Sequence, residues 1–272
     1  MSALAEPTCA WEPFTPRGVA AFARTSFGRL FFVQAIIAVL AAAAVGWFLD
    51  QGIFPTLDEA VTALPAEARI LHGRLEWHDD SPQLLAEGGI LALIVDLDHV
   101  GDVRSPADFQ FEFGTNSVLI LSLFGPAELY YPPDYAPGTY IPANKTDLQP
   151  LWEAWRPNIL VLAIIGTFLS LLLTWFLLAT LYSLPVWIIC YFGDREVSLL
   201  GAWRLAGAAL LPGAVLLSVT LVLYELGVCD LVELLYIFGL HFVLGWIYLF
   251  VAPLFLRRGV PPTKKNPFTS AA

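Results

Sequence analysis

The chain has 272 residues, 57% hydrophobic and only 14% charged, with a net charge of −10 and a mean hydropathy of +0.68. Ordinary soluble domains carry about 25% charged residues, so the composition excludes a wholly water-soluble protein and fits several bilayer spans joined to one polar domain. Cys9, Cys190 and Cys229 lie far apart in sequence; the long polar segment has no cysteine and so no disulfide framework, none sits in a paired metal-ligand spacing, and no cofactor is expected.

Residues 1–29 read as a cytoplasmic amino-terminal segment. Pro7, Pro13 and Pro16 keep its first half irregular. From Arg17 it becomes helix-compatible, and Arg17, Arg24 and Arg29 alternate with Val19, Phe22 and Phe27. That pattern suits either a short helix on the inner membrane surface or a basic flank of the first span. Residues 30–49 form that span, about 30 Å long as a helix, with Gln34 its only strongly polar member. The competing reading is a cleaved signal peptide, suggested by small residues at 41–44 and opposed by the long leader and the apolar continuation. Gln34, Ala38, Ala42 and Gly46 recur every four residues and offer one close-packing face.

Residues 50–157 are the polar domain, with seventeen acids against five bases. Residues 57–64 read as a short helix. Residues 68–77 alternate, Leu71, Leu75 and Trp77 against His72, Arg74 and Glu76, which is the period of one half-buried strand. Residues 90–98 form a stronger strand, Ser105-Pro106 suits a helix start, and residues 117–124 and 127–131 make a hairpin around Gly125-Pro126. A small antiparallel sheet in an α+β domain is expected. Residues 128–147 mix Tyr130, Tyr131, Tyr135 and Tyr140 with four prolines. Proline stiffens the chain and exposed tyrosines make contact surfaces, so the segment is either a partner-contact loop or a stiff linker packed on the sheet. Thr146 or Asp147 is placed to cap the next helix, whose Trp152 and Trp155 form an interfacial belt.

The second span is residues 158–184. The uncharged run 159–192 is too long for one perpendicular crossing, so a break is expected at Pro185, with 185–204 a cytoplasmic loop. Residues 205–224 form the third span, which Pro212 is able to kink, residues 225–230 an outer loop, residues 231–256 the fourth span, and residues 257–272 a basic cytoplasmic tail. Gly166, Ser170 and Thr174 step by four along the second span, and with Gln34, Gly46 and Gly213 they make the expected helix-packing seam.

Orientation follows from the bases. Three precede the first span, Arg195 and Arg204 lie between the second and third, and Arg257, Arg258, Lys264 and Lys265 follow the fourth. The short loop holding Glu225 and Asp230 has none. The positive-inside rule then puts both termini in the cytoplasm and residues 50–157 outside.

His241, near the middle of the fourth span, is the intramembrane polar candidate, because an ionisable group at that depth is costly and often functional. Gly245 and Tyr248 share its face, and Ser170 or Thr174 is a suitable hydrogen-bond partner. Glu76 and His78 are spaced to meet one metal ion, and residues 96–102 resemble a calcium loop lacking its third ligand and terminal glutamate; a carboxylate-capped turn accounts for them more simply. No nucleophile elbow, phosphate loop or zinc-protease motif occurs, and no enzyme is expected.

Thr15-Pro16-Arg17, then Leu64-Pro65 followed by Ile70-Leu71-His72-Gly73-Arg74-Leu75, Ile94-Val95-Asp96 leading to Gly101, and Ala202-Trp203-Arg204 carry a resemblance. With one span, an outer domain and three closing spans, the chain resembles a family of uncharacterised bacterial multi-span membrane proteins defined as a domain of unknown function. Residues between Asp96 and Gly101 depart from that family's Asp-Thr-x-Gly-like turn. The resemblance implies a bacterial cytoplasmic (inner) membrane and nothing catalytic.

The expected fold is therefore a membrane all-α protein, four transmembrane helices with an inserted small α+β extracytoplasmic domain. The expected function is a non-enzymatic envelope binding, sensing or scaffold protein; the alternative is a transporter or channel subunit using the helix bundle. Its partners are the lipid bilayer and a protein engaged through residues 50–157, with a homo-oligomer allowed and no nucleic acid.

Overall fold

The computed structural model describes residues 12–133 and 140–259. Among the described residues, four helical stretches, Phe27–Ala63, Lys145–Phe192, Leu199–Glu225 and Leu231–Phe255, are long and apolar enough to cross a membrane. The chain divides into two compact units, Met1–Val39 with Phe168–Leu217 and Ile237–Ala272, and Leu40–Thr167 with Ser218–Tyr236. The basic tail beyond Gly259, including Lys264 and Lys265, and also Cys9 and Tyr135, lie outside the described residues.

The first unit is built from helices. Helix α1 (Pro16–Ala21) opens with proline at its first position, and the Thr15 hydroxyl accepts the Gly18 amide hydrogen at 3.0 Å. A tight turn, Phe22–Arg24, leads to α2 (Phe27–Phe48). Val19 and Phe22 are fully buried in the unit's core. The segment packs on α5 (Leu199–Ala209) and the closing turn Ala252–Phe255. Arg204 fixes the arrangement by donating to the Ala23 carbonyl at 2.9 Å.

Helix α4 (Lys145–Phe192) is unbroken through Pro185, contrary to the sequence expectation. A proline inside a helix removes one hydrogen bond and costs about 3 kcal/mol. Trp175, Ala179 and Ser183 before it and Val186 and Cys190 after it are all buried on one face, and burying each large apolar side chain is worth about 1.5–3 kcal/mol. Packing on both sides of the proline therefore holds the helix straight through. Helix α5 ends where Pro212 makes its effect felt, at Leu210, and α6 (Leu211–Glu225) follows. Helix α7 (Leu231–Val251) completes the set.

In the second unit, α2 runs through a widened turn, Leu49–Ile53, directly into α3 (Phe54–Ala63). The short helix expected at 57–64 is thus the continuation of the first apolar helix. Strands β1 (Arg69–Leu71) and β2 (Arg74–Glu76) form a hairpin, not the single strand read from the alternation. His72 and Gly73 sit between them at φ 52° and 71°, the left-handed pair that a two-residue hairpin turn demands. Strand β8 (Ile141–Pro142) adds to β1, giving the order β2-β1-β8.

A five-stranded sheet contains β3 (Gln83–Glu87), β4 (Leu91–Val95), β5 (Phe109–Phe113), β6 (Ser117–Ser122) and β7 (Ala127–Tyr130) in sequence order. The β6–β7 hairpin is as expected, with Gly125 at φ 100°. The β4–β5 pair is parallel, which corrects the expected all-antiparallel sheet. A parallel return needs a long crossover, supplied by residues 96–108. No helix starts at Ser105 in that crossover: its hydroxyl accepts the Ala107 amide hydrogen at 3.1 Å and donates to Glu87 at 2.6 Å. Asn144, rather than Thr146 or Asp147, caps α4, its side-chain carbonyl accepting the Asp147 amide hydrogen at 2.9 Å.

Candidate functional site

One face of the five-stranded sheet is lined by Leu93, Val95 and Phe113, which alternate inward along β4 and β5. Facing it, α3 presents Leu57, Ala60 and Val61, and its C-cap Leu64 follows, at the i, i+3, i+4, i+7 spacing of one helical stripe. The β1–β2 hairpin contributes Ile70 and Leu75, followed by Trp77, and α4 contributes Leu148. These side chains do not close on one another. They line a partly open cavity of about 250 Å³, completed by Leu85, Tyr131, Pro142 and Ala143.

Not one of these lining residues carries a charge. The only side-chain hydroxyl is that of Tyr131, which donates to the Gly114 carbonyl at 3.0 Å, and burial pushes its ionisation upward, away from any physiological pH. Among the described residues, the cavity thus has no acid, base, nucleophile or metal ligand to offer. The cavity is partly open to solvent, so its apolar walls face water until something apolar covers them.

A polar clamp ties α3 to α4. Asp58 on α3 accepts hydrogen bonds from Trp152 at 2.5 Å and from Arg156 at 2.8 Å, and Arg156 also reaches Asp50 at 3.3 Å. The Trp152 ring meets Phe54 edge-on at 5.4 Å. Asp58 and Arg156 are each more than a third exposed, so solvent screens the ion pair. Asp58→Ala is expected to lower stability by about 1 kcal/mol, read by thermal unfolding in detergent, with Asp58→Asn retaining part of it through Trp152.

A second cavity, about 400 Å³, is lined by Glu59, Glu87, Asp108, Glu225 and Asp230 around Gly88 and Gly89, with no basic residue. Three of the acids are held by neutral donors: Ser105 to Glu87 at 2.6 Å, Trp47 to Glu225 at 2.7 Å and Tyr224 to Asp108 at 2.5 Å. Cys229 also lines it, and burial, then Glu233 and Asp230, raise its thiol pKa. Among the described residues no group of three or more His, Cys, Asp and Glu side chains is placed to hold a metal ion.

The opposite sheet face carries a buried polar network. Gln110 donates to Glu112 at 2.5 Å, His99 lies 3.6 Å from Glu112 and 3.4 Å from Ser117, and Ser117 donates to Glu128 at 2.7 Å. A serine, a histidine and a carboxylate therefore meet. The serine is only 3% exposed and gives its proton to Glu128 rather than His99, so it is not presented as a nucleophile. The network anchors the crossover, and Asp96 does the same by accepting the Gly101 amide hydrogen at 2.7 Å. Its signal in the sequence was Gln110 and Glu112 alternating with three phenylalanines.

The residues singled out in the sequence are dispersed. Gln34 is buried and donates to the Gly207 carbonyl at 3.4 Å. A side chain at Gly46 would meet Ile164 at 2.8 Å, whereas one at Gly166 would meet nothing within 4 Å. Ser170 and Thr174 are exposed, on the side of α4 opposite its packed face. Gly213 faces the backbone of His241, and the His241 ring bonds to the Phe238 carbonyl of its own helix, not to Ser170 or Thr174. Tyr130 and Tyr140 are exposed, Tyr130 donating to Glu128 at 3.1 Å, while Tyr131 lines the cavity. Glu76 is engaged by Arg69 at 2.6 Å. No family model matches the chain, and neither a curated protein nor a solved structure is detectably similar to it.

Proposed function

We propose that this chain is a non-enzymatic binding protein of the bacterial envelope, crossing the inner membrane four times with both termini in the cytoplasm. Residues 50–157 then form an extracytoplasmic domain that takes an apolar ligand into the cavity beneath α3. The uncharged lining is the observation that carries this reading, because an apolar ligand satisfies it completely and a polar one would lose its hydrogen bonds there. Each methylene buried from water contributes about 0.8 kcal/mol, so the gain grows with the length of apolar chain that the cavity covers. The orientation rests on the distribution of bases along the sequence.

Two measurements test it. Octanoate added to the full-length protein in liposomes raises the unfolding temperature in a concentration-dependent way, as binding to the native state requires; no rise at saturating octanoate contradicts the reading. Alkaline phosphatase fused at residue 100 is active and fusions at 198 and 268 are inactive; the reverse pattern contradicts the orientation.

A further inference from the structure

Helix α4 begins well before its uncharged run, at Lys145, and its first turns stand beside the cavity. Leu148 lines the cavity itself. Going along the helix, Leu151, Trp155, Ile159 and Leu162 follow at steps of three, four, four and three, which keeps them on one face. All four are exposed, Leu151 at 51%, Trp155 at 57%, Ile159 at 38% and Leu162 at 71%. Trp152 and Arg156, on the adjoining edge, are turned to α3 by the Asp58 clamp and leave this stripe uncovered.

Exposure of Ile159 and Leu162 is ordinary in a helix that crosses a bilayer, where lipid tails cover them. Leu151 and Trp155 are different, because they precede the uncharged run and sit level with Glu153 and Arg156. An apolar stripe continuing from the lipid-facing part of a helix to an uncharged cavity has one occupant of matching chemistry at both ends. From Ile159 to Leu148 the helix rises about 16 Å, within the length of an extended lipid tail.

Resting on the function proposed above, we infer that the ligand of the cavity is an acyl chain of a bilayer phospholipid, guided from the outer leaflet along the Leu162–Ile159–Trp155–Leu151 stripe to Leu148. The chain enters tail first, its methylenes exchanging lipid contact for the stripe and then for the cavity wall. The headgroup stays in water, since the cavity offers it no polar partner.

The test uses full-length protein in phosphatidylglycerol liposomes and two photoreactive probes. One is phosphatidylglycerol with a diazirine near the end of an acyl chain; the other is water-soluble octanoate with the same group. Cross-linked peptides are located by mass spectrometry. Both probes are expected to label residues 57–64 and 91–95. In Leu151→Glu/Trp155→Glu, lipid labelling of those segments falls at least tenfold while octanoate labelling persists, and Leu151→Glu alone gives an intermediate loss. Octanoate labelling with no lipid labelling of the cavity, or lipid labelling confined to α4, overturns the lipid assignment and leaves the binding function standing. Absence of cavity labelling by both probes overturns the function itself.

Discussion

Ala60→Phe is expected to abolish octanoate binding while making the ligand-free protein more stable. Ala60 is buried on α3 and its methyl group borders the cavity. A phenyl ring there enters existing empty space rather than displacing packed atoms. Filling a cavity in this way commonly adds about 0.5–2 kcal/mol, seen as a higher unfolding temperature of the variant without ligand. The same ring removes the volume the ligand needs, so the octanoate-dependent rise in unfolding temperature disappears. Opposite movement of the two readouts is the informative result. A variant that loses both stability and binding has been overpacked, and Ala60→Leu, with less added volume, then separates the two effects.

Gly213→Ala is expected to destabilise the helix bundle by about 2–3 kcal/mol, while Gly166→Ala leaves it unchanged or slightly more stable. Both glycines were read from the sequence as members of one packing seam. A methyl group at Gly213 would lie 2.5 Å from the His241 carbonyl oxygen and 3.5 Å from its Cα. Those are backbone atoms and have no rotamer by which to yield. At Gly166 the added methyl meets nothing within 4 Å, and alanine is the better helix former by about 1 kcal/mol. Unfolding by sodium dodecyl sulfate titration separates the two variants. Equal effects would show that Gly166 is covered by a second copy of the chain.

The apolar character of α2, α4, α6 and α7 is a local property, and the composition of each run announced it, though not where the helices begin and end. What periodicity could not show was how proline and glycine act in context. Pro185 reads as a break in isolation, yet the buried faces on either side of it hold α4 together. His72-Gly73 is only a step in an alternating pattern until β1 and β2 pair on each other, when it becomes the hairpin turn. Parallel pairing of β4 and β5 depends on the path of residues 96–108, which hydrophobic patterning does not specify.

The Gly166-Ser170-Thr174 face looked like the seam because small residues permit close approach. The chain instead packs α4 through Trp175, Ala179, Ser183, Val186 and Cys190, a face that mixes small and large residues. The cavity was legible only in fragments. Trp77, Leu93, Leu148 and Tyr131 come from four separate stretches of sequence, and an unfilled volume between them is a property of their arrangement in space. Tyr131 shows the difficulty best: it was grouped with Tyr130 and Tyr140 as a contact residue, but its hydroxyl is turned to Gly114 and its ring lines the cavity.

Amide hydrogen exchange of the full-length protein in liposomes, with and without octanoate, tests the binding cavity most directly. Occupancy is expected to slow exchange in α3, β4 and β5 together, three of the elements whose side chains line the cavity, and Ala60→Phe is expected to show slow exchange without ligand and no further change with it. Unchanged exchange in those elements at saturating octanoate, or protection confined to the apolar helices, would contradict the account.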